Sequence, residues 1–129
     1  MSKFLTILNI RLKSNRDSVW VLNDPLVYDS DLIGHVEVPK GFNTDLASVP
    51  RVPIIFSLWG GRAHYEGVLH DALFRSDFMP GISFCTANKV FLEAMQIRGK
   101  PWLIRWPMYA GVCIGSIGCW HRRKLMDEL

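Results

Sequence analysis

Residues 62–75, RAHYEGVLHDALFR, mark the point at which the chain changes from strand-like to helical patterning. The stretch contains no proline. At helical spacing it places five residues on one face: Ala63, Gly67, His70, Leu73 and Phe74. This pattern predicts a helix whose inner side carries a polar residue, His70.

Before this stretch the pattern has the two-residue period of β-strands. Apolar and polar residues alternate over 8–13, and short strand candidates follow at 18–22, 25–28 and 34–38, with turn signals after the first two of them. The N-terminal part therefore predicts a small antiparallel sheet.

Two more helices are predicted after it. TANKVFLEAMQIRG, residues 86–99, has an apolar stripe at helical spacing, with Thr86 as N-cap and Gly99 at its end. A third helix is predicted from Pro107, a residue suited to a first helical turn, to about Arg123.

The predicted fold class is α+β, with a small N-terminal antiparallel sheet packed against about three C-terminal helices. The chain of 129 residues fits one domain, 1–129, mainly strands and a turn motif in 1–53 and mainly helical in 54–129. Because 49% of the residues are hydrophobic and 21% charged, the composition excludes a disordered chain.

Charge and hydropathy exclude several function classes. The net charge of +3 is mild and, apart from residues 122–124, the basic residues are scattered, so no nucleic-acid partner is expected. The longest uncharged stretch, residues 106–120, is shorter than the roughly 20 residues that span a bilayer. We expect neither a transmembrane segment nor a signal peptide. Three cysteines without C-x-x-C spacing predict reduced, buried thiols.

His70 and Asp71 are neighbours that must have separate jobs. Adjacent residues on a helix differ by about 100° in direction, so they cannot act on each other as a base and its orienting group. In one interpretation His70 is a satisfied core residue and Asp71 pairs with Arg75 one turn later. In the other, His70 and Asp71 belong to a site.

A second stretch rich in polar residues, GFNTDLASVPR at residues 41–51, supports the site interpretation. Its glycine and prolines predict a rigid loop that presents Asp45, Ser48 and Arg51. If this loop lies over the helix that bears His70 and Asp71, the set can hold a base, its orienting group and a cation or water. The alternative is a turn that locks the sheet to the helix.

The two phrases together resemble an uncharacterised family of small bacteriophage and prophage proteins, over roughly residues 25–120. The matching residues are Gly41, Phe42, Thr44, Asp45, Ala47, Ser48, Pro50, Arg51, His70, Asp71, Leu73, Phe74 and Arg75. The resemblance implies a location in the host cytoplasm or the virion and says nearly nothing about activity.

The helical half is also similar to the two-helix core of phospholipases A2. This similarity implies divalent-cation-assisted ester hydrolysis, with calcium or another divalent cation as cofactor. It makes His70 the general base and Asp71 a metal ligand, and Asn88 or Asp45 would orient the histidine. Gly60 and Gly61 would form the metal-binding loop. Two departures are that Asn88 is neutral, so it cannot stabilise an imidazolium as a carboxylate does, and that the usual disulfides are missing.

Other enzyme readings have less support. An all-helical His-Asp phosphohydrolase needs further metal ligands on separate helices, and His64 and Asp77 do not supply them.

The competing class is a non-enzymatic virion, tail-associated or accessory protein that binds another phage or host protein. The five tryptophans suit such an interface. A membrane surface is a weaker candidate partner, for the third helix with its basic end, and the sequence leaves the oligomeric state open.

Overall fold

A computed structural model describes residues 1–13, 19–44, 64–79, 81–115, 120 and 124–127. In these ranges the chain forms six strands followed by three helices, which confirms the α+β prediction. The strands are β1 (Lys3–Phe4), β2 (Ile10–Leu12), β3 (Trp20–Leu22), β4 (Leu26–Ser30), β5 (Gly34–Val38) and β6 (Asn43–Thr44). The helices are α1 (His64–Leu73), α2 (Phe84–Ile97) and α3 (Trp102–Gly115).

The described strands form two small sheets, not the one sheet that was predicted. One has the order β1-β4-β5 and the other β2-β3-β6, and all pairs are antiparallel. In the first sheet Leu26 lies opposite Val38 and Tyr28 opposite Val36. All four side chains are buried, because alternate residues of each strand point to the same face.

Helix α1 lies at the centre of the described core. Its Leu69 and Leu73 pack with Tyr28 of the first sheet and Val90 of α2. A second cluster joins α1 to both sheets through Val68, Ala72, Leu22, Leu26, Val38 and Phe42. A third joins α2 to α3 through Phe91, Met95, Met108 and Val112. Since a fully buried leucine contributes about 1.5–3 kcal/mol, α1 anchors both sheets and α2.

Helix α2 begins earlier than predicted. Its N-cap is Ser83, whose Oγ accepts a hydrogen bond from the Thr86 backbone N at 3.1 Å, so the prediction of Thr86 as N-cap was wrong. The predicted end is confirmed: Gly99 has a φ of 81°, the left-handed conformation that glycine adopts without strain.

Helix α3 begins at Trp102, so the predicted start at Pro107 was wrong. Pro107 lies inside the helix, where its ring removes one backbone hydrogen bond to the residue four positions earlier, Leu103. Both residues are exposed, so water can bind the freed carbonyl, and Met108 and Val112 hold the helix against α2. The predicted continuation to Arg123 passes into residues outside the described part.

The described cysteines, Cys85 and Cys113, are free thiols, but Cys85 is exposed, which contradicts the prediction that all are buried. Cys119 lies outside the described residues. Among the helices described, none has the length and apolar character needed to cross a membrane.

The two N-cap assignments predict different mutational effects. Ser83→Ala removes the oxygen that accepts from the first turn of α2, so it should lower the free energy of unfolding by about 1 kcal/mol in urea denaturation. Thr86→Ala is the matched control. It loses only the exposed hydrogen bond between the Thr86 and Ser83 hydroxyls, and alanine favours the helix interior, so its loss should be well below that of Ser83→Ala. Equal losses from both variants would contradict the assignment of Ser83.

Candidate functional site

His70 and Asn88 meet between α1 and α2. The Nε2 atom of His70 lies 2.7 Å from Oδ1 of Asn88, and both side chains are fully buried. The imidazole also packs on Phe74 and Phe91, with ring centroids 4.2 Å and 5.1 Å away. The structure therefore brings together the two residues that the phospholipase similarity assigned as base and orienting group.

The hydrogen bond fixes the tautomer of His70. Because Oδ1 of Asn88 can only accept, Nε2 of His70 carries the proton and donates the hydrogen bond. The other ring nitrogen, Nδ1, is buried with no hydrogen-bond partner, as is Nδ2 of Asn88. Burial lowers the pKa of His70 to about 4, and the hydrogen bond with Asn88 opposes that shift. His70 is therefore neutral at pH 7.

Asp71 points towards a different neighbour. Its Oδ2 accepts a hydrogen bond from Thr44 Oγ1 of β6 at 2.5 Å, and it lies 3.9 Å from NH2 of Arg75. The predicted pairing of Asp71 with Arg75 is thus present. Together with His70 facing α2, this geometry agrees with the prediction that the two adjacent residues have separate jobs.

Arg75 fastens the end of α1 to β6 and the C-terminal residues. It is nearly fully buried and donates from NH2 to the Asn43 carbonyl at 2.9 Å and from NH1 to the Lys124 carbonyl at 3.0 Å. Its guanidinium also lies over the ring of Phe42, 4.8 Å from the centroid. Since these groups are on separate elements, Arg75 links the end of α1 to β6 and to the C-terminal residues.

The remaining predicted site residues lie outside the described part of the chain: Asp45, Ser48, Arg51, Gly60 and Gly61. A contact between Asp45 and His70 stays a prediction. Of the stretch 41–51, residues 41–44 are described, and Thr44 donates a hydrogen bond to Asp71.

The described residues do not fit a calcium site. The Asp71 carboxylate, the predicted ligand, already accepts from Thr44 and has the Arg75 cation beside it, which repels a second cation. Across the described ranges, no group of three or more His, Cys, Asp or Glu side chains is placed to hold a metal ion.

A buried charge cluster escaped the sequence analysis. Glu66 on α1 is fully buried, and its Oε1 lies 3.0 Å from Nζ of Lys100 and 3.9 Å from Nε of Arg98. The Arg98 guanidinium also stacks over the ring of Tyr65 at 4.0 Å. The available signal was spacing, because Glu66 is one helical turn before His70 and so shares its inner face.

The buried histidine gives stability a pH dependence. The pKa of His70 is about 4 in the folded protein against 6.5 in the unfolded chain, so protonation favours unfolding. The contribution is complete above pH 6.5 and is lost as the pH falls towards 4. Between about pH 7.5 and about pH 4.5, wild type should lose about 2–3 kcal/mol more than His70→Gln. Urea denaturation at both pH values measures this, and equal losses would show that His70 titrates normally.

The sequence profile of a family described as "Protein of unknown function (DUF1353)" matches residues 20–112. The match covers most of the chain, including α1, α2, and nearly all of α3. No curated protein and no solved structure shows significant similarity to the chain. The protein belongs to the DUF1353 family.

Proposed function

We propose that this DUF1353 protein acts by binding, as a small accessory or virion-associated protein of a phage or prophage, and that it docks through α3. The observation that carries the proposal is a row of exposed residues on this helix, which we term the outer face of α3. Its members are Leu103, Trp106, Pro107, Ala110 and Ile114. Leu103 is 65% exposed, Trp106 53% and Ile114 76%.

The outer face is contiguous. Its residues recur at helical spacing and cover about 17 Å along the axis. Met108 and Val112 lie on the opposite side of the helix and are buried against Phe91 and Met95 of α2. Exposed apolar side chains are normal when they occur singly, but a continuous row of them marks an interaction site. α3 therefore has one side committed to the core and an equally apolar side that a partner can cover.

The polar residues around His70 support binding over catalysis. His70 is fully buried, and Asp71 and Arg75 join α1 to β6. Each of these contacts links elements of the core. These residues therefore stabilise the fold on which α3 is placed.

The phage or prophage context rests on the resemblance of residues 41–51 and 70–75 to small phage proteins. A virion-associated or accessory role is the form of binding function that suits such a context. The location of the gene among tail genes or early genes separates these two roles.

Substitutions on the outer face should separate function from folding. Leu103→Glu and Ile114→Glu replace exposed side chains, so each should change the free energy of unfolding by no more than about 0.5 kcal/mol. Both should fail to complement deletion of the gene in the phage or host that encodes it. Ile7→Glu is the matched control, because Ile7 is 81% exposed and far from α3 in sequence. Full complementation by both α3 variants would refute a docking role for this face.

Hydrolysis is a second candidate, favoured by the geometry of one hydrogen bond. Asn88 holds Nε2 of His70, and Nδ1 keeps a lone pair that can accept a proton from an attacking water. Because the ring is fully buried, substrate reaches Nδ1 only when surrounding side chains move.

Short-chain p-nitrophenyl esters test this candidate without assuming a natural substrate. A hydrolase should release p-nitrophenol, and His70→Gln should slow it by about 100-fold or more because the base is lost. Thr44→Val is a control that disturbs Asp71 and leaves His70 in place. The same slow rate in wild type and His70→Gln would exclude His70 as the base for these esters.

A further inference from the structure

We propose that the partner of the outer face of α3 is an anionic lipid surface, on which the helix lies parallel to the membrane plane. The inference rests on the proposed docking function and names its partner. It is carried by three features of the same region: charge, residue type and helix length.

Acidic and basic residues are distributed unevenly along the chain. Residues 94–126, which contain α3, carry six Lys or Arg and no Asp or Glu, whereas the rest of the chain carries nine basic and twelve acidic residues. Glu66 of α1 pairs with two of the six, Lys100 and Arg98, which leaves Arg105, Arg122, Arg123 and Lys124 to attract an anionic surface. We term residues 94–126 the basic segment. Anionic lipids attract such clusters with about 1 kcal/mol per basic residue near the surface. The apolar outer face thus lies in the part of the sequence that anionic lipids attract.

The side chains of the outer face suit lipid better than a protein partner. Protein interfaces contain about one hydrogen bond per 100–200 Å². Among the five outer-face residues only Trp106 has a side-chain donor, its indole N–H, and none has an acceptor. Trp102, 62% exposed, lies at the edge of this face, and Trp106 packs edge-on against Tyr109. Tryptophan and tyrosine prefer the headgroup level of membranes.

The length of α3 indicates how it would bind. Its 14 described residues extend about 21 Å, less than the roughly 30 Å of the hydrocarbon core. Arg105 is at the side of the helix away from Leu103 and is partly buried. One apolar face without charge, on a helix whose described length is less than the hydrocarbon core, is the arrangement of a helix that lies in the interface.

A second copy of the chain is a poorer partner. Pairing two outer faces about a twofold axis would bring two basic segments together, and neither segment contains an acidic residue to offset the repulsion between the basic residues that Glu66 does not pair.

Co-sedimentation of the full-length protein with vesicles tests the proposal. Vesicles of phosphatidylcholine with phosphatidylglycerol should bind the protein, and vesicles of phosphatidylcholine alone should bind it much less. Raising the salt to about 0.5 M should weaken binding about tenfold, because salt screens the basic segment. Leu103→Glu should weaken binding about tenfold or more, since it removes buried apolar area and adds a negative charge. Ile7→Glu should bind as wild type does.

Three results would overturn the lipid assignment: no binding to phosphatidylglycerol vesicles, equal binding by wild type and Leu103→Glu, or a wild-type dimer in sedimentation velocity that Leu103→Glu dissociates. If Leu103→Glu and Ile114→Glu still fail to complement in those cases, the docking function stands and only its lipid partner is wrong. If they complement fully while losing vesicle binding, the docking function itself fails.

Discussion

The fold depends on satisfying the polar side chains of a buried helix. α1 is covered by both sheets and by α2, yet Glu66 and His70 within it and Arg75 just after its end are buried. An ion pair broken in such a place costs about 3–5 kcal/mol, so each side chain needs a partner from a neighbouring element. Glu66 pairs with Lys100, beyond the end of α2, and His70 is hydrogen-bonded to Asn88 within α2. Arg75 donates hydrogen bonds to backbone carbonyls at β6 and near the C-terminus. These contacts fix how α1 is rotated and which elements surround it.

The same region contains buried side-chain atoms that could form further hydrogen bonds. In the described part of the chain, Oε2 of Glu66, Nδ1 of His70 and Nδ2 of Asn88 are buried without a hydrogen-bond partner. Leaving such an atom unpaired costs about 1–3 kcal/mol. The depressed pKa and full burial of His70 fit a structural link between helices, whereas the cost of its unpaired Nδ1 is not explained by that link.

α3 shows the opposite imbalance, because it has more apolar surface than the core can cover. One side packs on α2, and the other leaves Leu103, Trp106 and Ile114 exposed within a segment that has no acidic residue. In α1 polar groups are inside, and in α3 apolar groups are outside. The stability of the described core alone explains neither departure from the usual pattern.

The sequence by itself determined the α+β class, the three helices, the end of α2 at Gly99 and the separate directions of His70 and Asp71, because these follow from local periodicity and helix geometry. It also offered Asn88 as the partner of His70, but through a resemblance. Only the tertiary structure decided that Glu66 pairs with Lys100, that Thr44 holds Asp71 and that Pro107 lies inside α3. The reason is physical: a helical pattern shows which side chains share a face, whereas burial and partner come from elements distant in the chain.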